Sequence, residues 1–253
     1  DYVTEMFQVI RDSPVTDPLP SYLSVTTITS TFKVDTELDI QNIKERMKET
    51  PFVIKKKGSK DGGCEWKVKD NKFFNQITVE FVDDFSKKSI KFFPNGSIHV
   101  TGCSDLTDCH RVMAKVKFCL EKFTQKPIKT FDFNVLMINA NFSMNHTLNL
   151  ATVSRLAEGI SGCTVSFKPE IYSAVKIKFS PGPGMKRITT SVFSSGCVLI
   201  TGAKTLSEIS SSYKFMINML SSCRVSKSKN IKTFSSFSAI PFDVWEKHLL
   251  GTN

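Results

Sequence analysis

Four aromatic residues in this sequence have a type and a position that suit the binding of a partner rather than catalysis. Alternation along neighbouring segments places Phe74, Phe93, Tyr172 and Phe193 on the polar side of their strands, near the strand ends. Exposed pairs of large apolar rings are costly unless something covers them. The pattern therefore predicts a binding surface. The alternative is that these rings belong to the core.

The polar side of the same strands is expected to be small, hydroxylated and in places basic. Such a face suits a partner that must approach it closely, although an ordinary exposed sheet is also rich in threonine. The positions that the alternation assigns to it are Thr27, Thr29, Gln76, Thr78, Lys91, Ser97, His99, Thr101, Met137, Asn139, Lys176, Lys178, Ser191, Leu199 and Thr201.

Catalytic and metal-binding patterns are weak in this sequence. We find no paired carboxylates on an expected cleft, no Ser/His/Asp set and no phosphate-binding glycine loop. The spacing of His99, Cys103, Cys109 and His110 matches no standard zinc site, and Cys109 falls on the core-facing stripe of an expected helix. We therefore expect neither an enzyme nor a bound cofactor or metal.

Charge and cysteine content limit the class of protein further. The 253 residues contain 34 Lys and Arg against 24 Asp and Glu, a formal net charge of +10 that favours a polyanionic partner. Seven cysteines without CxxC spacing fit reduced intracellular thiols better than a disulfide framework. No apolar run approaches the roughly 18 residues that a membrane span needs, so we expect no membrane partner.

Two predicted hairpins, one hundred positions apart, hold the aromatic and polar side chains in place. The stretch from Phe93 to Thr101 reads FPNGSIHVT, and that from Phe193 to Lys204 reads FSSGCVLITGAK. Gly96 and Gly196 suit turn positions with positive φ. A helical pattern follows each hairpin, so the chain contains a duplicated unit.

Hydrophobic periodicity predicts the remaining elements and the domain boundaries. The apolar residues of the first strand cannot all lie on one face of a regular strand, so we expect a bulge near Thr26. Strands are expected at Tyr22–Val34, Phe73–Phe81, Ser89–Phe93, Ser97–Thr101, Phe131–Phe142, Tyr172–Phe179, Ile188–Phe193 and Cys197–Thr201, and helices at Asp39–Lys48, Leu106–Phe123, Ala151–Glu158 and Leu206–Leu220. The expected domains are an N-terminal extension (1–20), a first repeat (21–125) with a basic loop insertion (55–72), a second repeat (126–225) and a C-terminal linker with a short helix (226–253).

The repeated pattern F-x-S-G-x-x-x-x-T-G-A-K before a helix resembles the core of the TATA-box-binding protein family. The second copy fits closely, the first is degraded but in register, and the resemblance covers about residues 21 to 225. It implies an α+β fold of two pseudo-symmetric repeats that form a saddle-shaped, curved antiparallel sheet with helices on the convex face. The divergence and the Lys/Asn/Ser-rich composition suggest a member from a giant DNA virus.

The resemblance implies a transcription initiation factor that binds AT-rich promoter DNA in the minor groove and bends it with two aromatic wedges. It assigns Phe74 with Phe93 and Tyr172 with Phe193 to the wedges, Lys178 to a phosphate, and Thr101 and Thr201 to central base edges. The other positions that it implies for DNA binding are Thr27, Thr29, Gln76, Thr78, His99, Val135, Met137, Lys176 and Leu199.

Departures from the family pattern predict weaker discrimination among AT-rich sites. Thr27 and Val135 stand where the family has asparagine, Glu80 replaces a basic residue, and His99 replaces a valine on the groove floor. These changes also motivate an alternative, in which the fold is a protein-interaction module of a viral transcription complex with weak or no sequence-specific DNA binding.

The loop before Tyr172 resembles the family's docking site for transcription factor IIB. Glu170 and Ile171 match that pattern, whereas Lys168 does not. The implied partners are a factor-IIB-like protein and the RNA polymerase machinery. The implied location is intracellular, in a viral factory of the host cytoplasm or nucleus, with packaging in the virion as a further option.

Overall fold

The computed structural model describes residues 19–21, 23–49, 64–69, 75–83 and 87–227. The chain divides into two compact units, which we call the first-repeat unit (Thr27–Leu136) and the second-repeat unit (Asp1–Thr26 with Met137–Asn253). Three predicted features lie outside the described residues, at least in large part: the N-terminal extension, Phe74 and the short C-terminal helix.

Antiparallel strands and two helices build the first-repeat unit. The order of hydrogen-bonded neighbours is β2-β3-β4-β5-β1. The elements are β1 (Ser24–Val34), α1 (Ile40–Glu49), β2 (Cys64–Lys69), β3 (Ile77–Asp83), β4 (Lys87–Phe92), β5 (Ser97–Cys103) and α2 (Leu106–Thr124). The bulge predicted near Thr26 lies between Ile28 and Thr29 instead.

Strand β2 corrects the prediction that the whole basic stretch 55–72 is a loop. Trp66 is buried, and its ring packs edge-on against Phe81 with centroids 5.1 Å apart. Lys67 and Lys69 flank it on the opposite side of the strand. The three lysines at 55–57 and the glycines before Cys64 obscured this short apolar alternation.

The second-repeat unit has the same order of elements and one additional strand pair. Its main sheet runs β8-β9-β10-β11-β6, and a separate pair joins β7 to β12. The elements are β6 (Thr130–Ser143), β7 (His146–Leu148), α3 (Leu150–Glu158), β8 (Thr164–Ser166), β9 (Ala174–Phe179), β10 (Ile188–Phe193), β11 (Cys197–Ala203), α4 (Leu206–Leu220) and β12 (Arg224–Lys227).

Two boundaries of the second-repeat unit differ from the prediction. The C-terminal linker is predicted to begin at residue 226, but Arg224–Lys227 forms β12 against β7. Tyr172 was expected in a strand, but it lies in the turn before β9. Its backbone N–H donates to the carbonyl oxygen of Lys168 at 2.9 Å, and this bond closes the preceding loop.

Both hairpin turns confirm the prediction of glycine at positive φ. Gly96 has φ +76° and Gly196 has φ +89°. A Cβ at Gly96 would lie 2.7 Å from the carbonyl oxygen of Val34, and one at Gly196 would collide with the carbonyl oxygen of His146. Conformation and space therefore both require glycine at these turns.

Within each unit the helices cover one side of the sheet. In α4 the buried stripe of Leu206, Ile209, Tyr213, Met216 and Leu220 lies at helical spacing. The buried strand residues alternate with less buried ones, which form the other side. We call that side the open face of each unit. No helix in the described part of the chain is long and apolar enough to cross a bilayer.

Candidate functional site

The open face of the first-repeat unit is built from rows of side chains that strand pairing aligns. One row crosses the sheet as Thr31, His99, Lys91, Thr78 and Lys69, on successive strands. The next row contains Thr29 and Thr101, and the hydroxyl of Thr29 donates to that of Thr101 at 3.5 Å. Hydroxyls and lysines therefore share this face, as the alternation predicts.

The open face of the second-repeat unit has corresponding rows. One contains Asn141, Leu199, Ser191, Lys176 and Ser166. Ser191 is buried although it faces this side. The neighbouring row contains Thr201, Thr189, Lys178 and Thr164, and the hydroxyl of Thr201 donates to the carbonyl oxygen of Thr189 at 3.1 Å.

An aromatic pair lies at one end of the open face in the second-repeat unit. The rings of Tyr172 and Phe193 meet edge-on with centroids 5.9 Å apart. The ammonium of Lys176 lies 4.4 Å from the centre of the Tyr172 ring, which is a cation–π contact. Tyr172 remains 36% exposed. The structure thus brings together two of the four predicted aromatic residues beside a lysine.

Phe93 occupies the corresponding position in the first-repeat unit, and its predicted partner Phe74 lies outside the described residues. The Phe93 ring packs on the imidazole of His99 with centroids 4.9 Å apart. Both side chains are half-buried. Partial burial, together with the positive charge of Lys91, lowers the pKa of His99.

Glu80 lies between two lysines rather than alone on the open face. Its carboxylate accepts ion pairs from Lys87 at 2.7 Å and Lys69 at 3.3 Å, and these hydrogen bonds lower its pKa. Two cations around one anion leave the group with a net positive charge. Glu80 therefore adds little net negative potential to the open face, although it replaces a basic residue of the family pattern.

The remaining predicted positions are mostly half-buried. The side-chain amide of Gln76 donates to Thr78 at 3.4 Å, and that of Asn139 accepts from the backbone N–H of Gly202 at 3.3 Å. Thr27, Val135 and Met137 have intermediate exposure on their strands.

Glu170 and Ile171 lie in the exposed loop before β9. Ile171 is 77% exposed, the largest exposed fraction among the described large apolar residues. Glu170 is also exposed. The loop therefore offers an apolar side chain and a carboxylate next to the Tyr172 ring.

Sequence reasoning missed Arg187, which fixes the outer edge of the second-repeat sheet. Its guanidinium donates to the hydroxyl of Thr164 at 2.8 Å and to the carbonyl oxygen of Lys178 at 3.0 Å. Nothing in the sequence indicated this role, because the partner Thr164 lies on β8 and a three-residue strand has no measurable periodicity. The arginine holds the strand that carries Lys178.

These features define a class of protein: a duplicated α+β scaffold in which each unit leaves a lysine-bearing sheet face uncovered by helices. Comparisons with known proteins narrow the class. Residues 132–223 match the family model "Transcription factor TFIID (or TATA-binding protein, TBP)". A TATA-box-binding protein-like protein of Acanthamoeba polyphaga mimivirus is 25% identical over 240 residues, which cover 79% of this chain. The chain spans 65% of that relative's length.

The fold comparison agrees with the sequence comparisons. The TBP of Methanococcus jannaschii superposes with a TM-score of 0.55 at 12% identity, over 80% of this chain and 99% of the archaeal protein. The likeness fits the saddle fold and confirms the predicted α+β class. The chain is thus similar to the TATA-box-binding protein family in the sequence of its second repeat, and to an archaeal member of that family in fold.

Proposed function

We propose that this chain is a transcription initiation factor that binds AT-rich promoter DNA in the minor groove and bends it with aromatic wedges. The observation that carries this proposal is the Tyr172–Phe193 pair, which stands partly exposed at the end of an open, hydroxyl-rich face. Rings in this position can insert between base steps and unstack them, as minor-groove wedges do.

Charge on the same faces supports a polyanionic partner. Lys176 and Lys178 project exposed from β9, and Lys91 projects exposed from β4. Lysines at the margins of a polar face can contact phosphates while hydroxyls between them approach base edges. The excess of positive charge in the whole chain acts in the same direction.

We further propose that the exposed loop with Glu170 and Ile171 docks a factor-IIB-like protein, which recruits RNA polymerase. The Ile171 side chain is 77% exposed, and covering it with a partner would remove a large apolar surface from water.

The family contains DNA-binding transcription factors without enzymatic activity, and we propose no catalytic step and no cofactor for this chain.

The alternative function is a protein-interaction module with weak DNA binding. Glu80 is one of the changes that motivate it, together with Thr27 and Val135, but the two lysine ion pairs of the Glu80 carboxylate weaken this argument. Salt separates the two functions: DNA affinity carried by phosphate contacts falls steeply as salt rises, whereas an interaction module would show weak DNA binding at every salt concentration.

Bending can be measured by fluorescence transfer between dyes at the two ends of a duplex. We expect increased transfer on an AT-rich duplex and little change on a GC-rich duplex of equal length. Phe93→Ala combined with Phe193→Ala should abolish the increase, because each substitution removes one ring of a wedge. The readout is transfer efficiency at saturating protein and low salt.

The matched control is Phe118→Ala, because Phe118 is an equally large ring that is 47% exposed on helix α2 rather than on the open face. It should bend DNA as the unaltered protein does. Equal loss of bending in the control and in the double variant would contradict the wedge assignment. No bending of either duplex would contradict the proposed function.

A further inference from the structure

We propose that His99 makes the half-site under the first repeat tolerant of a G·C base pair, whereas Leu199 restricts the half-site under the second repeat to A·T. The inference rests on the proposed minor-groove function and assigns to that site a specificity that differs between its halves. It starts from one pair of equivalent positions that carry different chemistry.

Strand pairing shows that His99 and Leu199 are equivalent. His99 pairs with Thr31 on β1 and with Lys91 on β4. Leu199 pairs with Asn141 on β6 and with Ser191 on β10, the same places in the second-repeat unit. Both side chains are half-buried on the open face, each between the first strand of its hairpin and the first strand of its repeat.

The imidazole of His99 is held in place by its packing on Phe93. Among the described residues, no group forms a hydrogen bond with either of its ring nitrogens. The ring is therefore oriented on the open face with hydrogen-bonding capacity that a ligand can use. Leu199 offers only methyl groups at the same place.

The minor groove distinguishes G·C from A·T through one group, the guanine N2 amino donor. A neutral imidazole has one donor and one acceptor nitrogen. It can accept from the guanine amino group, or donate to the acceptors of an A·T pair. Leucine can do neither, so an amino group pressed against Leu199 would lose water without gaining a partner.

The protonation state of His99 agrees with this role. Within the described part of the chain, the charged group that faces it is Lys91 on β4, whereas β1 presents Thr31 and the ring neighbour is Phe93. Burial and Lys91 lower the pKa of His99, so the ring is neutral at physiological pH and keeps its acceptor nitrogen.

The test uses three duplexes: an AT-rich site, the same site with one G·C pair in one half, and the site with G·C pairs placed symmetrically in both halves. The substituted position is scanned along the half-site. Affinities are measured by fluorescence anisotropy for the full chain and for His99→Leu, Leu199→His and His99→Asn. A protein free to bind in either orientation will place His99 over the single G·C pair.

We expect the unaltered protein to lose less than about threefold in affinity on the singly substituted duplex and about tenfold or more on the doubly substituted one. His99→Leu should lose about tenfold already on the first. Leu199→His should tolerate both substitutions. His99→Asn retains an acceptor and should keep the tolerance, which supports the inference even where Leu199→His fails to fold.

Equal losses for the unaltered protein and His99→Leu on the singly substituted duplex, at every scanned position, would overturn the inference while leaving AT binding intact. Absence of binding to the AT-rich duplex would overturn the proposed function, and this inference with it. The first result concerns one side chain, and the second concerns the whole open face, so the two failures are distinguishable.

Discussion

In both repeats the helix that follows the hairpin begins with the same arrangement of N-cap and carboxylate, but the two carboxylates have different partners. In α2 the N-cap is Asp105 and the buried carboxylate three residues later is Asp108; in α4 the corresponding residues are Thr205 and Glu208. Thr205 and Glu208 form a reciprocal capping box. The spacing is identical, but the groups that the two carboxylates bind are not.

Asp108 is paired with side-chain cations. The ammonium of Lys88, which has no exposed surface, lies 3.0 Å from its carboxylate, and Arg111 bonds the same oxygen. Both carboxylates accept from the backbone N–H that precedes the N-cap, Asp108 from Ser104 at 3.0 Å and Glu208 from Lys204 at 2.6 Å. Where Asp108 has its cations, Glu208 accepts a further backbone N–H, that of Lys186 at 3.2 Å. Ile188 occupies the place that corresponds to Lys88. A duplicated fold thus keeps its cap geometry while one copy acquires a buried ion pair.

Among the substitutions that test this comparison, Asp108→Asn should lower the stability most. Removing the carboxylate charge breaks the ion pair between Asp108 and the buried Lys88 ammonium, and breaking such a pair typically costs about 3 kcal/mol or more. Urea unfolding followed by Trp66 fluorescence reports on the first-repeat unit, where this ring is buried. The measurement uses a Trp245→Phe background, because the chain has two tryptophans.

A second substitution tests whether the buried cation is the cause. Lys88→Met should recover part of the stability lost in Asp108→Asn, because it removes the other buried charge of the pair and keeps the volume. Lys87→Met is the surface control, since the Lys87 side chain is 64% exposed. If Lys88→Met deepens the loss instead, the ion pair is not what makes Asp108 important.

The matched change in the second repeat, Glu208→Gln, should cost less, about 1–2 kcal/mol. Among the residues that the structure describes, no buried side-chain cation pairs with this carboxylate, and the amide oxygen of glutamine can still accept from the backbone N–H groups. The loss is the charge assistance of those bonds and the favourable interaction with the helix dipole. Urea unfolding followed by circular dichroism, which sees both units, is the measurement, and a cost equal to that of Asp108→Asn would break the comparison.

Features formed by residues close in sequence could be predicted from the sequence, whereas contacts between distant residues could not. The helical stripe of α2 and the glycines at positive φ depend on residues close in sequence, and the sequence predicts them. The ion pair of Lys88 with Asp108 joins β4 to α2 across twenty residues, and a lysine between outward-facing neighbours looks like one more surface cation. Only the fold shows that the strand alternation turns Lys88 inward.

The candidate site likewise contains positions that the sequence predicts and strands that it does not predict. Alternation correctly placed His99, Leu199 and Lys178 on the open face. It could not place β2, where lysines dominate the composition, or β8, which is three residues long. The proposed difference in specificity lies at a position where the two copies differ, and comparison of the two copies reveals that position. His99 against Leu199 is the clearest difference on the open face.

The smallest expected effect is the pH dependence that His99 gives to stability. Its pKa is lowered in the folded protein relative to the unfolded chain, so below the ordinary histidine range the unfolded chain binds more protons at this position. The stability contribution of the neutral ring is therefore fully present above the unfolded pKa, and it is lost as pH falls from about 7 towards 5. His99→Leu should flatten this part of the curve by a fraction of a kcal/mol, as measured by urea unfolding at several pH values. Leu199→His should steepen it if the second repeat gives an imidazole the same half-buried surroundings. An unchanged slope in His99→Leu would mean that the ring is no harder to protonate in the folded protein, and the acceptor nitrogen on which half-site tolerance depends would then be partly lost near neutral pH.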